Sequence, residues 1–81
     1  MEIKVLGPGC RNCEKLEADA KQAVKEAGTD ATVIKVTDMA DIMRFGVLST
    51  PGLVINGKVK SYGRIPSVKE IRAWIEEEKD K

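Results

Sequence analysis

No histidine occurs anywhere in this 81-residue chain. That absence rules out Cys-His and Ser-His nucleophile pairs and any metal site built on imidazole. An excess of one charge is missing too: 14 Lys and Arg stand against 13 Asp and Glu, for a formal net charge of +1. Nothing here resembles the basic footprint of a protein that neutralises nucleic-acid phosphates, so nucleic acid is not expected as a partner. Long apolar runs are also lacking. The opening Met1-Glu2-Ile3-Lys4-Val5-Leu6 reaches Gly7 at once, too short for the apolar stretch of a secretion signal and far too short to span a bilayer. The chain is therefore expected in the cytoplasm, with no membrane partner. Repeats, linkers and low-complexity segments are absent. At this length folding removes only about 60 to 65% of the unfolded chain's surface from water, so one domain over residues 1–81 with one modest core is expected.

Cysteine is scarce, and the two that exist, Cys10 and Cys13, follow an apolar run and open a helix-like segment. Two thiols placed across the first turn of a helix can close a disulfide with little backbone movement, one sulfur bonding as another leaves. A reducing cytosol disfavours a lone structural disulfide and favours a transient or catalytic role. The pair reads as a dithiol reaction centre.

The elements around it follow from periodicity. From Ile3 to Leu6 only Lys4 interrupts the apolar residues before Gly7-Pro8-Gly9 breaks the run, which predicts a short buried strand feeding a tight loop. A helix over residues 10–27 comes next: Leu16, Ala20, Val24 and Ala27 form its apolar side, Glu17 and Lys21 are placed for an exposed pair, and Gly28 stops it. Residues 31–36, rich in β-branched side chains, predict a second strand, with a crossover long enough for parallel pairing. Thr37-Asp38 can cap a short helix whose apolar side is Met39, Ile42, Met43 and Phe45, stopped by Gly46; its two methionines read as core filling. Leu53-Val54-Ile55, then Asn56-Gly57, then Lys58 to Tyr62 is a hairpin signal. The last strand reads as an exposed edge guarded by Lys58 and Lys60. Ser67 with Glu70 makes a capping box, Val68, Ile71, Trp74 and Ile75 trace the buried side of a closing helix, and its tail from Glu76 to Lys81 is expected to fray. The order is βαβαββα, an α/β fold with a four-stranded mixed sheet covered by three helices.

That order, Gly9-Cys10-Arg11-Asn12-Cys13 at the head of the first helix, and Ser49-Thr50-Pro51-Gly52 leading into the third strand resemble the thioredoxin and glutaredoxin fold over the whole chain. The short length and the stretch from Thr50 to Gly57 are similar, more narrowly, to the small thioredoxin-like redox-active disulfide proteins of archaea and bacteria. The resemblance implies a thiol-disulfide oxidoreductase, an enzyme in which Cys10 attacks, Cys13 resolves and a cis-proline at Pro51 faces them. Taken as a residue alone, Pro51 reads as a trans proline opening a strand, and it is the resemblance that reverses this reading. The resemblance also places Thr50, Pro51, Arg11 and Asn12 against the substrate, with the Thr50 backbone pairing briefly with an extended peptide. It implies protein disulfides as substrates, a reductase as electron donor, no cofactor beyond the Cys10-Cys13 disulfide, and action as a monomer. At a helix N-terminus the Cys10 thiolate would be stabilised, bringing its pKa below the free value of about 8.5. Arg11 would add to that and make the pair a stronger oxidant. Asn12 is either a tuning residue or a solvated polar group in the first turn.

Three departures from the family pattern bear on function. Gly9 stands where thioredoxins commonly carry Trp, and Arg11-Asn12 where Gly-Pro is common, so potential and substrate range stay open. Lys4 is the only ionisable residue between Ile3 and Gly9, so the buried acid often invoked for the second thiol is missing and another base must serve. Beyond Pro51 the chain offers Tyr62-Gly63-Arg64 instead of the Gly-Gly-x-Asp of glutaredoxins, which leaves glutathione use open. The alternative function is a soft-metal module holding copper or zinc on the two cysteines. Such carriers run βαββαβ, however, and typically place Met where this chain has Pro8.

Overall fold

The computed structural model describes residues 1–79, and part of the expected fraying tail, residues 80–81, lies outside them. The chain forms β1 (Glu2–Leu6), α1 (Arg11–Ala27), β2 (Thr32–Val36), α2 (Met39–Arg44), β3 (Gly52–Ile55), β4 (Lys58–Tyr62) and α3 (Val68–Lys79). The four strands make one sheet in the order β2-β1-β3-β4. β1 pairs parallel with β2, Ile3 opposite Val33, and antiparallel with β3, Val5 opposite Leu53. The sheet is mixed, as the element order predicts.

The two central strands are apolar on both faces because both faces are covered. On one face Ile3, Val5, Leu53 and Ile55 meet Leu16, Ala20 and Ala23 of α1 and Ile71 and Ile75 of α3, all fully or almost fully buried. Burying one large aliphatic side chain of this set contributes about 1.5–3 kcal/mol, so α1 and α3 are held chiefly by this cluster. Ala23 joins it while Val24 and Ala27 lie at its margin, because α1 packs against both the sheet and α3 and its apolar stripe turns toward the helix contact. On the other face Leu6 and Val54 meet Ile42 and Val47, with Phe45 packed alongside.

Local signals account for the element ends. Cys10 is the N-cap of α1, one residue outside the helix expected from position 10, and Gly28 ends it. Asp38 caps α2, its carboxylate accepting from the backbone N–H of Ala40 at 2.8 Å. The Asn56-Gly57 turn has φ of 51° and 80°, the doubly positive backbone of a type I′ hairpin that glycine adopts without penalty. Ser67 and Glu70 close the capping box: Ser67 Oγ accepts the Glu70 N–H at 3.1 Å, and Glu70 accepts the Ser67 N–H at 3.5 Å.

Three expectations are corrected. Met39 and Met43 are not core: they are 53% and 65% exposed. A six-residue helix presents little more than one turn to the sheet, and Ile42 alone fills that place. Lys58 and Lys60 do more than guard an edge. A register shift between Leu53 and Val54 disturbs the alternation of β4, and the Lys60 Nζ lies 3.0 Å from Glu78 Oε2, with Lys58 on the same carboxylate at 3.4 Å. Glu78 therefore does not fray; it is buried near the end of α3. A carboxylate is stable there because two ammonium groups compensate its lost hydration.

Candidate functional site

The site sits where β1 ends and α1 begins. Beyond Leu6 the chain must turn sharply to start a helix, and the Gly7 N–H stays tied to the sheet by donating to the Val36 carbonyl at 2.9 Å. Cys10 follows as N-cap, with its own carbonyl accepting the Glu14 N–H at 3.0 Å as the first bond of the helix. The Cys10 sulfur accepts the backbone N–H of Cys13 at 3.2 Å, the bond that a Ser or Asp oxygen makes in an ordinary N-cap. A negative sulfur at this point faces unpaired N–H groups and the positive end of the helix dipole, both of which favour thiolate over thiol.

Cys10 and Cys13 are joined in a disulfide, with their Cα atoms 5.0 Å apart. Their surroundings differ. Cys10 is exposed, whereas Cys13 is 5% exposed and lies behind it in the first turn. Arg11 and Asn12 are exposed in the same turn.

The second wall comes from the loop before β3. The Thr50–Pro51 peptide bond is cis, Pro51 is buried and Thr50 half-buried. The Pro51 carbonyl accepts the Gly63 N–H at 2.9 Å, which fixes the loop to the end of β4. Gly7 shows how near this wall is to the dithiol: a Cβ built there would collide with the Cys13 sulfur and stand 4.0 Å from the Thr50 Cβ. The fold thus gathers Cys10, Arg11, Asn12 and Cys13 at one helix end and sets the Thr50-Pro51 loop beside the inner sulfur.

Sequence reading missed three contributors. Gly7 reads only as a strand breaker, yet its missing side chain is what lets the backbone touch Cys13. Glu14 and Lys35 carry no motif, but with Thr37 they form the polar wall of a cleft of about 10 Å³ against Cys13, floored by Val5, Gly7 and Gly9. Their separation in sequence hides a juxtaposition made by the parallel β1–β2 pairing. Roomier grooves, one of about 260 Å³ at Lys4, Val36 and Phe45 and one of about 270 Å³ along α3, do not reach the cysteines.

Comparison with known proteins fits this geometry. The thioredoxin-domain family matches residues 1–76. The chain belongs to that family. It is 43% identical over 72 residues to a thioredoxin of Methanothermobacter thermautotrophicus, covering 89% of this chain and 94% of that protein. It is 40% identical over 70 residues to a thioredoxin of Methanocaldococcus jannaschii, covering 86% and 80% respectively. A thioredoxin-family chain with its two cysteines bonded at a helix N-terminus is a thiol-disulfide oxidoreductase.

The metal-module alternative draws no support. The observed order is βαβαββα, and among the described residues no group of three or more His, Cys, Asp or Glu is placed to hold a metal ion. Proteins of this family generally need no cofactor, act on protein disulfides and draw on a reductase. Among the described residues no helix is long and apolar enough to cross a membrane.

Proposed function

We propose that the chain exchanges electrons with protein disulfides in two steps, Cys10 acting as nucleophile and Cys13 as resolving thiol. The carrying observation is the asymmetry of the pair: one sulfur exposed and capped by a helix N–H, the other buried behind it. The Cys10 thiolate attacks one sulfur of a substrate disulfide. The substrate S–S bond breaks, its outer sulfur leaves as a thiolate, and a mixed disulfide links Cys10 to substrate. The Cys13 thiolate then attacks Cys10 Sγ, the second substrate thiolate leaves, and the Cys10–Cys13 bond forms. The substrate gains two electrons and the protein dithiol loses them. A reductase returns them by the same chemistry in reverse.

Thr50 and Pro51 form the substrate rest in this reading. Pairing of β3 with its neighbours begins at Gly52, so the Thr50 backbone lies beyond the ladder, where an extended peptide can align by strand addition. Arg11 and Asn12 flank the same approach, and the Arg11 charge favours the Cys10 thiolate. The chain works as a single domain over residues 1–81, as a monomer in the cytoplasm, with the disulfide as its whole redox group.

The test uses a disulfide-bonded model protein, with dithiothreitol as donor in the turnover assay and pre-reduced protein without added thiol in the trapping assay. Wild type is expected to catalyse reduction, Cys10→Ser to abolish it, and Cys13→Ser to accumulate a one-to-one mixed disulfide through Cys10. Turnover surviving in Cys10→Ser, or no trapped adduct in Cys13→Ser, would overturn the assignment.

A further inference from the structure

The chain has two asparagines, Asn12 followed by Cys13 and Asn56 followed by Gly57. An asparagine side chain is an electrophile toward the backbone nitrogen that follows it, which can attack the amide carbon Cγ and close a cyclic imide; this is one reason the residue is thermolabile. Two things control the attack: whether that N–H is free, and whether the backbone brings the two atoms together.

The two positions differ in the first respect. The Cys13 N–H is engaged, donating to the Cys10 sulfur at 3.2 Å, and Asn12 is fixed in the first turn of α1. Gly57 lies between β3 and β4, and its N–H has no partner among the described residues. No side chain shields that nitrogen, and Asn56 itself is exposed. The second respect opposes reaction. Ring closure needs the asparagine Cβ and the following nitrogen on the same side of the Cα–C bond. Asn56 has φ of 51°, in the left-handed region where ψ is about +47°, and there the two atoms lie on nearly opposite sides. Bonds to the start of β1 hold the residue so: the Glu2 N–H donates to Asn56 Oδ1 at 3.1 Å, and the Asn56 N–H donates to the Glu2 carbonyl at 2.8 Å.

We propose that Asn56-Gly57 is a site of spontaneous deamidation, gated by its left-handed turn and by the bonds to Glu2. When the turn opens, the Gly57 nitrogen loses its proton and bonds to Asn56 Cγ, while Nδ2 gains a proton and leaves as ammonia. Water then cleaves the imide at one of its two carbonyls. Cleavage at Cγ leaves aspartate in the ordinary backbone. Cleavage at the main-chain carbonyl leaves isoaspartate, with the chain now running through Cβ and Cγ and longer by one methylene. No electrons change hands. The two-residue turn sets the register of β3 on β4, so the added methylene disturbs β4, whose other end holds the Pro51 carbonyl through the Gly63 N–H at 2.9 Å. Modification at one end of the hairpin thus loosens the loop beside the cysteines at the other.

The experiment keeps the oxidised protein in mildly alkaline buffer well below Tm, in parallel with the same protein unfolded in guanidinium chloride. Peptide mapping by mass spectrometry follows both, and an isoaspartate-specific methylation assay separates the products. The unfolded chain is expected to convert Asn56 with isoaspartate among the products, Asn12 lagging because Cys13 carries a side chain beside its nitrogen. Folded protein is expected to convert Asn56 at least about tenfold more slowly, at the pace of local opening. Glu2→Pro deletes one holding bond at the first residue of a strand, where proline is tolerated, and should recover part of the rate with the circular dichroism of wild type retained. An unfolded chain that keeps Asn56 intact overturns the site. Equal folded and unfolded rates overturn the gate. Isoaspartate-bearing protein, once purified, is expected to melt lower than wild type, and an unchanged Tm would overturn the reach into β4.

Discussion

Gly7→Ala is the substitution that most directly probes how the fold serves the site. The added Cβ would fall against the Cys13 sulfur, well inside the 3.4–4 Å of ordinary contact, and 3.0 Å from the Cys13 Cβ. Neither neighbour can swing away. Cys13 is buried in the first turn of α1, and the Gly7 N–H is bonded to the Val36 carbonyl, so relief requires β1 and the helix start to separate. Overpacking of this kind costs about 1–3 kcal/mol. In a domain of this size each kcal/mol lowers Tm by about 4–8 °C, so a loss of about 2 kcal/mol predicts a fall of roughly 8–16 °C. A shift of about 1 Å at a reacting centre can cost on the order of a hundredfold in rate. Disulfide exchange should therefore fall by more than the folded fraction explains. Thermal unfolding by circular dichroism gives the first quantity, and exchange kinetics well below Tm give the second. A variant with unchanged Tm and unchanged exchange would show that Gly7 is not pressed against Cys13 and would refute the steric account of the site.

Three other outcomes are expected. The Glu78 carboxyl is held below its ordinary value of 4.5 because Lys60 hydrogen-bonds it, with Lys58 adding to this and burial opposing it. A group lowered on folding stabilises above its unfolded value, and that contribution is lost as pH falls through the folded value. Glu78→Gln should therefore lose stability near neutral pH and show a smaller drop in urea midpoint than wild type on going to about pH 3; parallel pH profiles would refute the clasp. Arg11→Ala should move the Cys10 thiol titration upward and make the disulfide less oxidising, measured by thiolate absorbance and by equilibration with glutathione, and no change in either removes Arg11 from the site. Met43→Lys should alter stability by no more than about 0.5 kcal/mol, since the side chain is 65% exposed; a loss of core size in a urea titration would show that Met43 is covered.

What could be read from the sequence, and what could not, divides by the range of the interaction. The dithiol, the Asn56-Gly57 turn and the Ser67–Glu70 box are written in residues a few positions apart, so composition and spacing reveal them before any fold is known. Glu78 is the opposite case. It sits in Glu76-Glu77-Glu78-Lys79, a run polar on every side that carries no periodic mark, and only the packing of α3 beside β4 shows that Lys60 meets Glu77 and Glu78 and that Glu78 is the one buried. Met43 errs in the other direction: apolar spacing marks a face, but whether the face is covered depends on how little sheet a six-residue helix spans. Gly7, Glu14 and Lys35 show the same limit inside the site. A glycine's value as empty space depends on what approaches it, and here the visitor is a sulfur six residues on, turned back by the helix. Lys35 reaches that place only because parallel pairing sets Val5 opposite Lys35. The reacting sulfurs are thus specified locally, while Lys35 is brought beside the inner one by the pairing of β1 with β2.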